Sequence, residues 1–349
     1  MNNLQTYLEK LECPDEAERL YAAEDIGYLN APEGVPALLE RLGKEPSRAL
    51  RDAIFQALTR IDGDAAIEGS IRLLGSDDAQ IRNQAVEVLR SKGAASIPFL
   101  HTVMRDGDKD LRKLVLDILS GIQVSGAEAI YEVALSDQDL NVVITAVENL
   151  GRTRATQFRR QIEDLLLAGS HPMLVGACLE ALSGIGDEQS LVALRRRFPE
   201  LAPLQDFYLV SCLKAIGALG TAEEFVEVAG LLPVRCSHLR PAILGALIAI
   251  HQRYPAKALG ADLLPALQTV VDDGDPPLCR YQAVRTLGFL SSRDDVYSFL
   301  VFCLSSPERL VRLGAIESLR VAERPGLERV LAARALQETD QEVLQALSC

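Results

Sequence analysis

The sequence contains no tryptophan, and the aromatic residues together make up only 5% of its 349 residues. A β-sandwich or barrel of this length is normally rich in aromatic and β-branched residues, because they pack well on a pleated sheet. Hydrophobic residues still make up 48% of the chain, and Leu and Ala, which favour helices, dominate among them. The composition therefore predicts an all-α protein with ample core material.

The chain lacks a long apolar run. Its longest apolar segment, Ala242–Ile250, is far shorter than the roughly 20 residues of a membrane-spanning helix. The first ten residues contain no basic region followed by an apolar one, as a secretory signal would. We expect a cytoplasmic protein without a membrane partner.

Basic residues are fewer than acidic ones, 36 against 49, which leaves a formal charge of −13. Such a chain repels a phosphate backbone instead of releasing its counterions. The dense basic run Arg195–Arg197 is more typical of a solvated helix end than of a phosphate site. The charge predicts that nucleic acid is not a partner.

Motifs for catalysis and metal binding are also lacking. The sequence has no phosphate-binding glycine loop, nucleophile elbow or zincin helix, and these are the usual signatures of large enzyme classes. The seven cysteines are scattered without a C-x-x-C pair, and the four histidines have no partner four residues away, so neither a disulfide framework nor a zinc site is indicated. A non-catalytic protein without cofactor or metal is favoured.

What the chain does have is an internal repeat. Segments such as Ala49–Leu58 and Gln80–Leu89 align on an arginine, and the aligned anchor position recurs at intervals of about 30 to 40 residues, a period typical of helical hairpins. The ten anchors are Arg19, Arg51, Arg82, Arg112, Val143, Val175, Leu209, Arg240, Arg280 and Arg312.

Each repeat has the periodicity of an amphipathic helix. The residue seven positions after the anchor is always Leu or Ile, and those three and four positions after it are mostly apolar, which defines one helical face. A short polar residue that can cap a helix start stands four positions before each of the first five anchors. These predicted caps are Asp15, Ser47, Asp78, Asp108 and Asp139.

The pattern Asp-x-x-Ile/Val/Leu-Arg with its Ala and Leu followers, as in Asp78–Leu89 and Asp108–Leu119, resembles the HEAT-repeat family, especially the short HEAT-like repeats of phycobilin lyases. The resemblance covers nearly the whole chain. It implies an all-α solenoid of about ten HEAT-like helical hairpins over residues 1–349, with the second helices on the concave surface. The longer step from Arg240 to Arg280 predicts a bend or irregular repeat at residues 251–275.

Repeats five to seven lose the arginine and the polar residue that follows it in repeats two to four. We expect the replacements to form either an exposed apolar patch, typical of an interaction site, or helices that are more completely buried. The first alternative predicts a partner-binding site with acidic neighbours. Its residues are Val143, Ile144, Glu148, Val175, Glu180, Leu209 and Val210.

The position five residues after the anchor lies off the apolar face and is acidic in six of the ten repeats. This row predicts either a ridge that attracts a basic partner or a solvated face of an acidic protein. Cys178 and Cys212 occupy equivalent positions in adjacent repeats. We interpret them as small core residues in preference to a redox pair.

Three functions remain open at this point. The preferred one is a non-catalytic scaffold that binds a protein or peptide on its concave face. The alternative is a phycobilin-lyase-like or chaperone-like factor that handles a tetrapyrrole and its acceptor protein, as the resemblance implies. A nucleic-acid-binding array of the DNA-repair type is disfavoured by the negative charge.

Overall fold

The computed structural model describes residues 3–122, 126–254, 263–272, 275–321 and 324–348. Within these ranges the chain is helical and contains no β-strand. The chain divides into two compact units, Met1–Asn149 and Leu150–Cys349. No helix in the described ranges is long and apolar enough to cross a bilayer.

In the first unit, short turns join helices of 8 to 14 residues. They are α1 (Asn3–Leu11), α2 (Glu16–Tyr28), α3 (Val35–Lys44), α4 (Arg48–Arg60), α5 (Asp64–Leu73), α6 (Ala79–Lys92), α7 (Ile97–Asp106), α8 (Lys109–Ser120), α9 (Glu128–Leu135) and α10, which starts at Leu140 and ends at Arg152.

The second unit continues the same pattern. Its helices are α11 (Arg159–Ala168), α12 (Pro172–Ile185), α13 (Glu188–Arg197), α14 (Asp206–Leu219), α15 (Ala222–Gly230), α16 (Arg240–Arg253), α17 (Leu264–Asp272), α18 (Pro277–Leu287), α19 (Asp294–Cys303), α20 (Arg309–Val321), α21 (Leu327–Ala335) and α22 (Gln341–Ser348).

The two helices of a repeat pack against each other, as α1 with α2, α11 with α12 and α17 with α18 do, which confirms the predicted α-solenoid. The pair α21 and α22 adds a hairpin beyond the ten that were predicted. The ten anchors all lie in or at the start of even-numbered helices, so these are the second helices of the repeats. The predicted bend at 251–275 includes residues 255–262 and 273–274, which lie outside the described residues, and it stays a prediction.

The predicted caps are confirmed. Asp15 accepts a hydrogen bond from the backbone N–H of Ala17 at 2.8 Å, and Asp78 accepts one from Gln80 at 2.8 Å. Asp108 and Asp139 cap their helices in the same way, each at 2.9 Å. These carboxylates satisfy N–H groups that have no partner inside the helix, and so they set where each second helix begins.

The predicted core face is confirmed in every repeat. All residues three, four and seven positions after the anchors are buried, among them Ile26, Leu89, Leu119, Leu182 and Leu319. Burying a leucine contributes about 1.5–3 kcal/mol, so this repeated face supplies much of the stability of the array.

Second helices of successive repeats approach closely through small residues. A Cβ on Gly151 would lie 2.7 Å from the Cα of Ala181, and one on Gly288 would lie 2.8 Å from the Cβ of Ser318. Both glycines stand eight positions after their anchors, and both partners stand six positions after the next anchor. Only glycine leaves room for this contact between helix backbones.

Two anchor arginines show how a repeat is tied to the next one. Arg312 donates to the backbone oxygens of Ser306 and Pro307 at 2.9 and 3.0 Å, and it pairs with Glu338 at 2.9 Å. Arg19 repeats this arrangement with the oxygens of Cys13 and Pro14 and with Glu45. The guanidinium thus satisfies loop carbonyls within its own repeat while its carboxylate partner comes from the following repeat.

Candidate partner-binding site

The predicted apolar patch at the anchor positions is not exposed. Val143, Val175 and Leu209 are 5%, 0% and 0% exposed, so the expectation that they form an interaction surface is wrong, and the alternative of deeper burial is confirmed for them. The anchor side chain points into the packing between repeats, where an arginine is also largely buried. An aliphatic residue at this position therefore fills core space.

In repeats six and seven, which have no anchor arginine, an arginine of the following repeat donates to the loop before the second helix. Arg235 donates to the backbone oxygens of Ala202 at 2.7 Å and of Leu204, just before α14. Arg197 donates to the oxygen of Gly169 at 3.0 Å, just before α12. The missing arginines in repeats six and seven therefore mark a change in how loop carbonyls are satisfied, because buried carbonyl groups need a donor.

The remaining predicted residues are more accessible. Val210 is 46% exposed, Ile144 is half-buried, and Glu148 and Glu180 are exposed. Among the predicted apolar residues, Val210 therefore has the accessibility that a contact with a partner requires. It is the residue that sequence reasoning contributes to the candidate site.

A groove of about 470 Å³ lies beside Val210 in the second unit. Most of it lies on α14 and α16, and α12 contributes Ser183 at one side. Small and apolar residues predominate in its lining. They include Val210, Lys214, Ala218, Ala242, Gly245 and Ala249.

Two further apolar side chains extend this surface beyond the groove. Phe207, one turn before Val210 on α14, is 50% exposed, and its Cζ would lie 3.9 Å from a Cβ built on Gly176. Met173, one turn before Gly176 on α12, is 54% exposed. Exposed large apolar residues that cluster in this way are typical of interaction sites.

The polar row five residues after the anchor is solvent-accessible, as predicted, but it is less acidic than its composition indicates. Glu87 pairs with Arg90 at 2.6 Å, Glu180 pairs with Lys214, and Glu317 pairs with Arg285. Three of the six acidic side chains are thus neutralised by a basic side chain. The acidic character of the row is therefore weaker in the second unit, where both glutamates are paired.

Net charge is distributed unevenly between the two units. Met1–Asn149 contains 26 acidic and 15 basic side chains, a net charge of −11, whereas Leu150–Cys349 contains 23 and 21, a net charge of −2. Long-range attraction of a basic partner would therefore come from the first unit, and the groove lies in the nearly neutral second unit.

Cys178, Cys212 and His171 have structural surroundings. Burial raises the pKa of the Cys178 and Cys212 thiols to about 12, so both are protonated near neutral pH and neither is a ready nucleophile or metal ligand. His171 caps α12 through Nδ1, 3.3 Å from the backbone nitrogen of Met173. The described residues contain no cluster of side chains that could hold a metal ion.

The groove was missed in the sequence because small residues carry little signal of their own. The useful signal would have been the second helix of repeat eight, α16. Gly245 and Ala249 stand there at the positions that Gln56 and Arg60 occupy in repeat two. Small residues on an accessible helical face leave a depression between larger neighbours.

Comparison with known proteins agrees with this architecture. Residues 4–90 match the family described as HEAT repeats. The bilin biosynthesis protein PecE of Mastigocladus laminosus is 37% identical over 71 residues, which are 20% of this chain and 26% of that protein.

Solved structures of karyopherins are similar over 99% of this chain. A mutant of Kap121p has a TM-score of 0.64 at 14% identity, and importin beta has a TM-score of 0.55 at 14% identity. The chain covers 44% and 56% of these two proteins, and 56% of a Kap95p chain described in a complex with RanGDP. At this identity the likeness shows the fold alone.

Proposed function

Because the chain is an α-solenoid of HEAT-type repeats, we propose that it is a non-catalytic, cytoplasmic scaffold that binds another protein through its second helices. The observation that carries the proposal is the apolar surface of the second unit, where the groove lies beside the exposed Val210 and Phe207. An apolar centre with polar surroundings is how specific protein interfaces are built.

The described residues support binding better than catalysis. The groove contains one ionisable side chain, Lys214, and this ammonium is already paired with Glu180. General acid–base or nucleophilic chemistry needs a group with a matched pKa and a second group that activates it. The karyopherin likeness supports the same choice, since one of those proteins is described bound to RanGDP.

A basic region of the partner would be attracted to the first unit. The acidic row there includes Glu24, Asp117 and Glu148, and the net charge of Met1–Asn149 favours encounter with a cation. Such steering affects the association rate and its salt dependence more than the affinity. Raising the ionic strength should therefore slow association.

The experiment is affinity capture of the partner from the native source, followed by a binding assay with the purified partner. The Val210→Asp chain should bind it at least about tenfold more weakly, a loss of about 1.4 kcal/mol. A chain that captures no specific protein, or a Val210→Asp chain that binds normally, would count against this surface.

A second candidate function is the handling of a tetrapyrrole and its acceptor protein. The partial match to PecE supports it, and a groove of about 470 Å³ lies within the range of small-molecule sites. Adding a bilin to the purified protein and recording its absorbance tests this function. A spectral shift that is lost when the groove is filled would favour it over the scaffold.

A further inference from the structure

The groove, which is lined by α12, α14 and α16, lies within a row of alternating charge. Across α12, α14, α16, α18 and α20, the residue five positions after each anchor reads Glu180, Lys214, Gly245, Arg285 and Glu317. Lys214 pairs with Glu180 and Arg285 pairs with Glu317. The two cations therefore flank the uncharged helix α16, and their carboxylates lie one helix farther out on each side.

The position on α16 between the two cations is open. A Cβ built on Gly245 would meet nothing within 4 Å, and Ala242 and Ala249 line the groove along the same helix. From Ala242 to Ala249 the helix rises about 10 Å, or two turns. A volume of about 470 Å³ has room for about three leucine-sized groups, because a cavity of about 150 Å³ accepts one benzene.

The groove offers apolar contact but no free backbone groups. Its lining residues lie inside α12, α14 and α16, whose backbone groups are bonded within the helices. Arg253 donates to the oxygens of Gly217 at 2.7 Å, of Gly220 at 2.9 Å, and of Ala218. An extended peptide would therefore bury its own backbone groups without partners, at a cost in free energy.

We propose that the groove along α16 binds an amphipathic α-helix of the partner, with about three apolar side chains in the groove and carboxylates beside Lys214 and Arg285. A helix satisfies its own backbone and presents apolar residues at i, i+4 and i+7, which matches a groove of two turns. This inference rests on the proposed scaffold function and specifies the partner segment.

The positions of Lys214 and Arg285 determine which charge the partner helix should carry beside its apolar residues. Exposed ion pairs contribute only about 0–1 kcal/mol, so Lys214 and Arg285 can share their hydrogen bonds with an incoming carboxylate at small cost. A basic helix would instead place a like charge against Lys214, the ionisable side chain in the groove lining. The sequence-based expectation of a basic partner thus applies to the first unit, and the groove is complementary to an acidic segment.

The test uses the full chain and a fluorescein-labelled peptide of about 18 residues, or five turns. Its leucines are at i, i+4 and i+7 and its flanking residues are glutamates. One matched peptide carries lysines in place of the glutamates. A second one keeps the glutamates and carries one central proline. By fluorescence anisotropy, the glutamate peptide should bind at least about tenfold more tightly than either.

Two glycine substitutions distinguish binding in the groove from binding elsewhere on the surface. Gly245→Leu fills the groove and should weaken binding of the glutamate peptide at least about tenfold. Gly230→Leu is the matched control, since Gly230 is also helical and its Cβ would meet nothing within 4 Å, but it does not line the groove. Circular dichroism checks that both variants are folded.

Charge reversal tests the flanking contacts. The double variant Lys214→Glu and Arg285→Glu should bind the lysine peptide more tightly than the glutamate peptide, whereas Arg196→Glu, on the exposed part of α13, should keep the wild-type preference. Equal binding of both peptides by the wild-type chain, or normal binding by Gly245→Leu, would overturn the inference. If Gly245→Leu still binds the native partner, the scaffold function stands and only the groove proposal fails.

Discussion

Gly151 of α10 and Ala181 of α12 are in such close contact that a Cβ on the glycine would lie 2.8 Å from the Cβ of the alanine. The same contact recurs between Gly27 and Ala57. A helix normally loses about 1 kcal/mol for each interior glycine. At both positions the glycine permits close packing between second helices.

We predict that Gly151→Ala lowers the free energy of unfolding by about 1–3 kcal/mol, because the added methyl group forces two helices apart. Gly245→Ala should instead raise it by about 0.5–1 kcal/mol, since the site is open and alanine favours the helix. Urea denaturation followed by circular dichroism measures both. Equal effects of the two substitutions would show that the close contact is unimportant.

The repeated core face predicts a large penalty for a cavity. Leu89→Ala should destabilise the protein by about 2–5 kcal/mol, because Leu89 is fully buried. Glu87→Ala, two residues away on the exposed side of α6, should change stability by no more than about 0.5 kcal/mol. A large loss at Glu87 in thermal or urea unfolding would mean that the helix faces are assigned wrongly.

Stability should decrease in acid partly through Glu338. Burial alone would raise the pKa of this carboxyl, but hydrogen bonds from the backbone N–H groups of Asp340 and Thr339 and from Arg334 and Arg312 lower it to about 2. A lowered pKa in the folded state means that the carboxylate stabilises the fold above its unfolded pKa of about 4.5. This contribution is lost progressively as the pH falls from about 4.5 to about 2.

The corresponding variant is Glu338→Gln. It should lower the free energy of unfolding at pH 7 by about 3 kcal/mol, because Arg312 is left buried without its counter-charge, and it should flatten the dependence on pH below about 4.5. Glu342→Gln removes the exposed pair with Arg309 and should cost less than about 1 kcal/mol. Unfolding curves at pH 7, 4 and 3 distinguish these outcomes.

Partner binding should depend on Val210 and not on exposed valines in general. Val210→Asp should weaken binding without changing the melting temperature, since the side chain is 46% exposed. The matched control is Val192→Asp on the first helix α13, where the valine is 60% exposed. Adding Ile144→Asp should reduce stability as well, because that side chain is half-buried. Equal loss of binding in both single variants would mean that the second-helix face has no special role.

Thiol reactivity gives an independent check of the core. A maleimide should label the exposed Cys236 and leave Cys178 and Cys212 unmodified in the native protein, since both are buried and their pKa is raised to about 12. Mass spectrometry after brief labelling identifies the modified residues. Rapid labelling of Cys178 would contradict its place in the core.

Spacing along the chain was enough to predict the repeat, its helical hairpins and its core face. Periodicity is a local property, so Leu89 and Leu119 could be assigned to the core from spacing alone, and Asp78 and Asp108 could be assigned as caps from their place before the apolar residues. The sequence also contains none of the common catalytic motifs, which favoured a binding function over catalysis.

The burial of the anchor residues and the position of the groove could not be predicted from the sequence. Val175 at an anchor and Val210 beside one were both predicted to be exposed, yet Val175 is buried and Val210 is 46% exposed, because burial depends on how the neighbouring repeat packs against the helix. The pairing of Lys214 with Glu180 depends on two helices 34 residues apart in the chain. Such contacts between repeats follow from how the helices stack, which the pattern within one repeat does not contain.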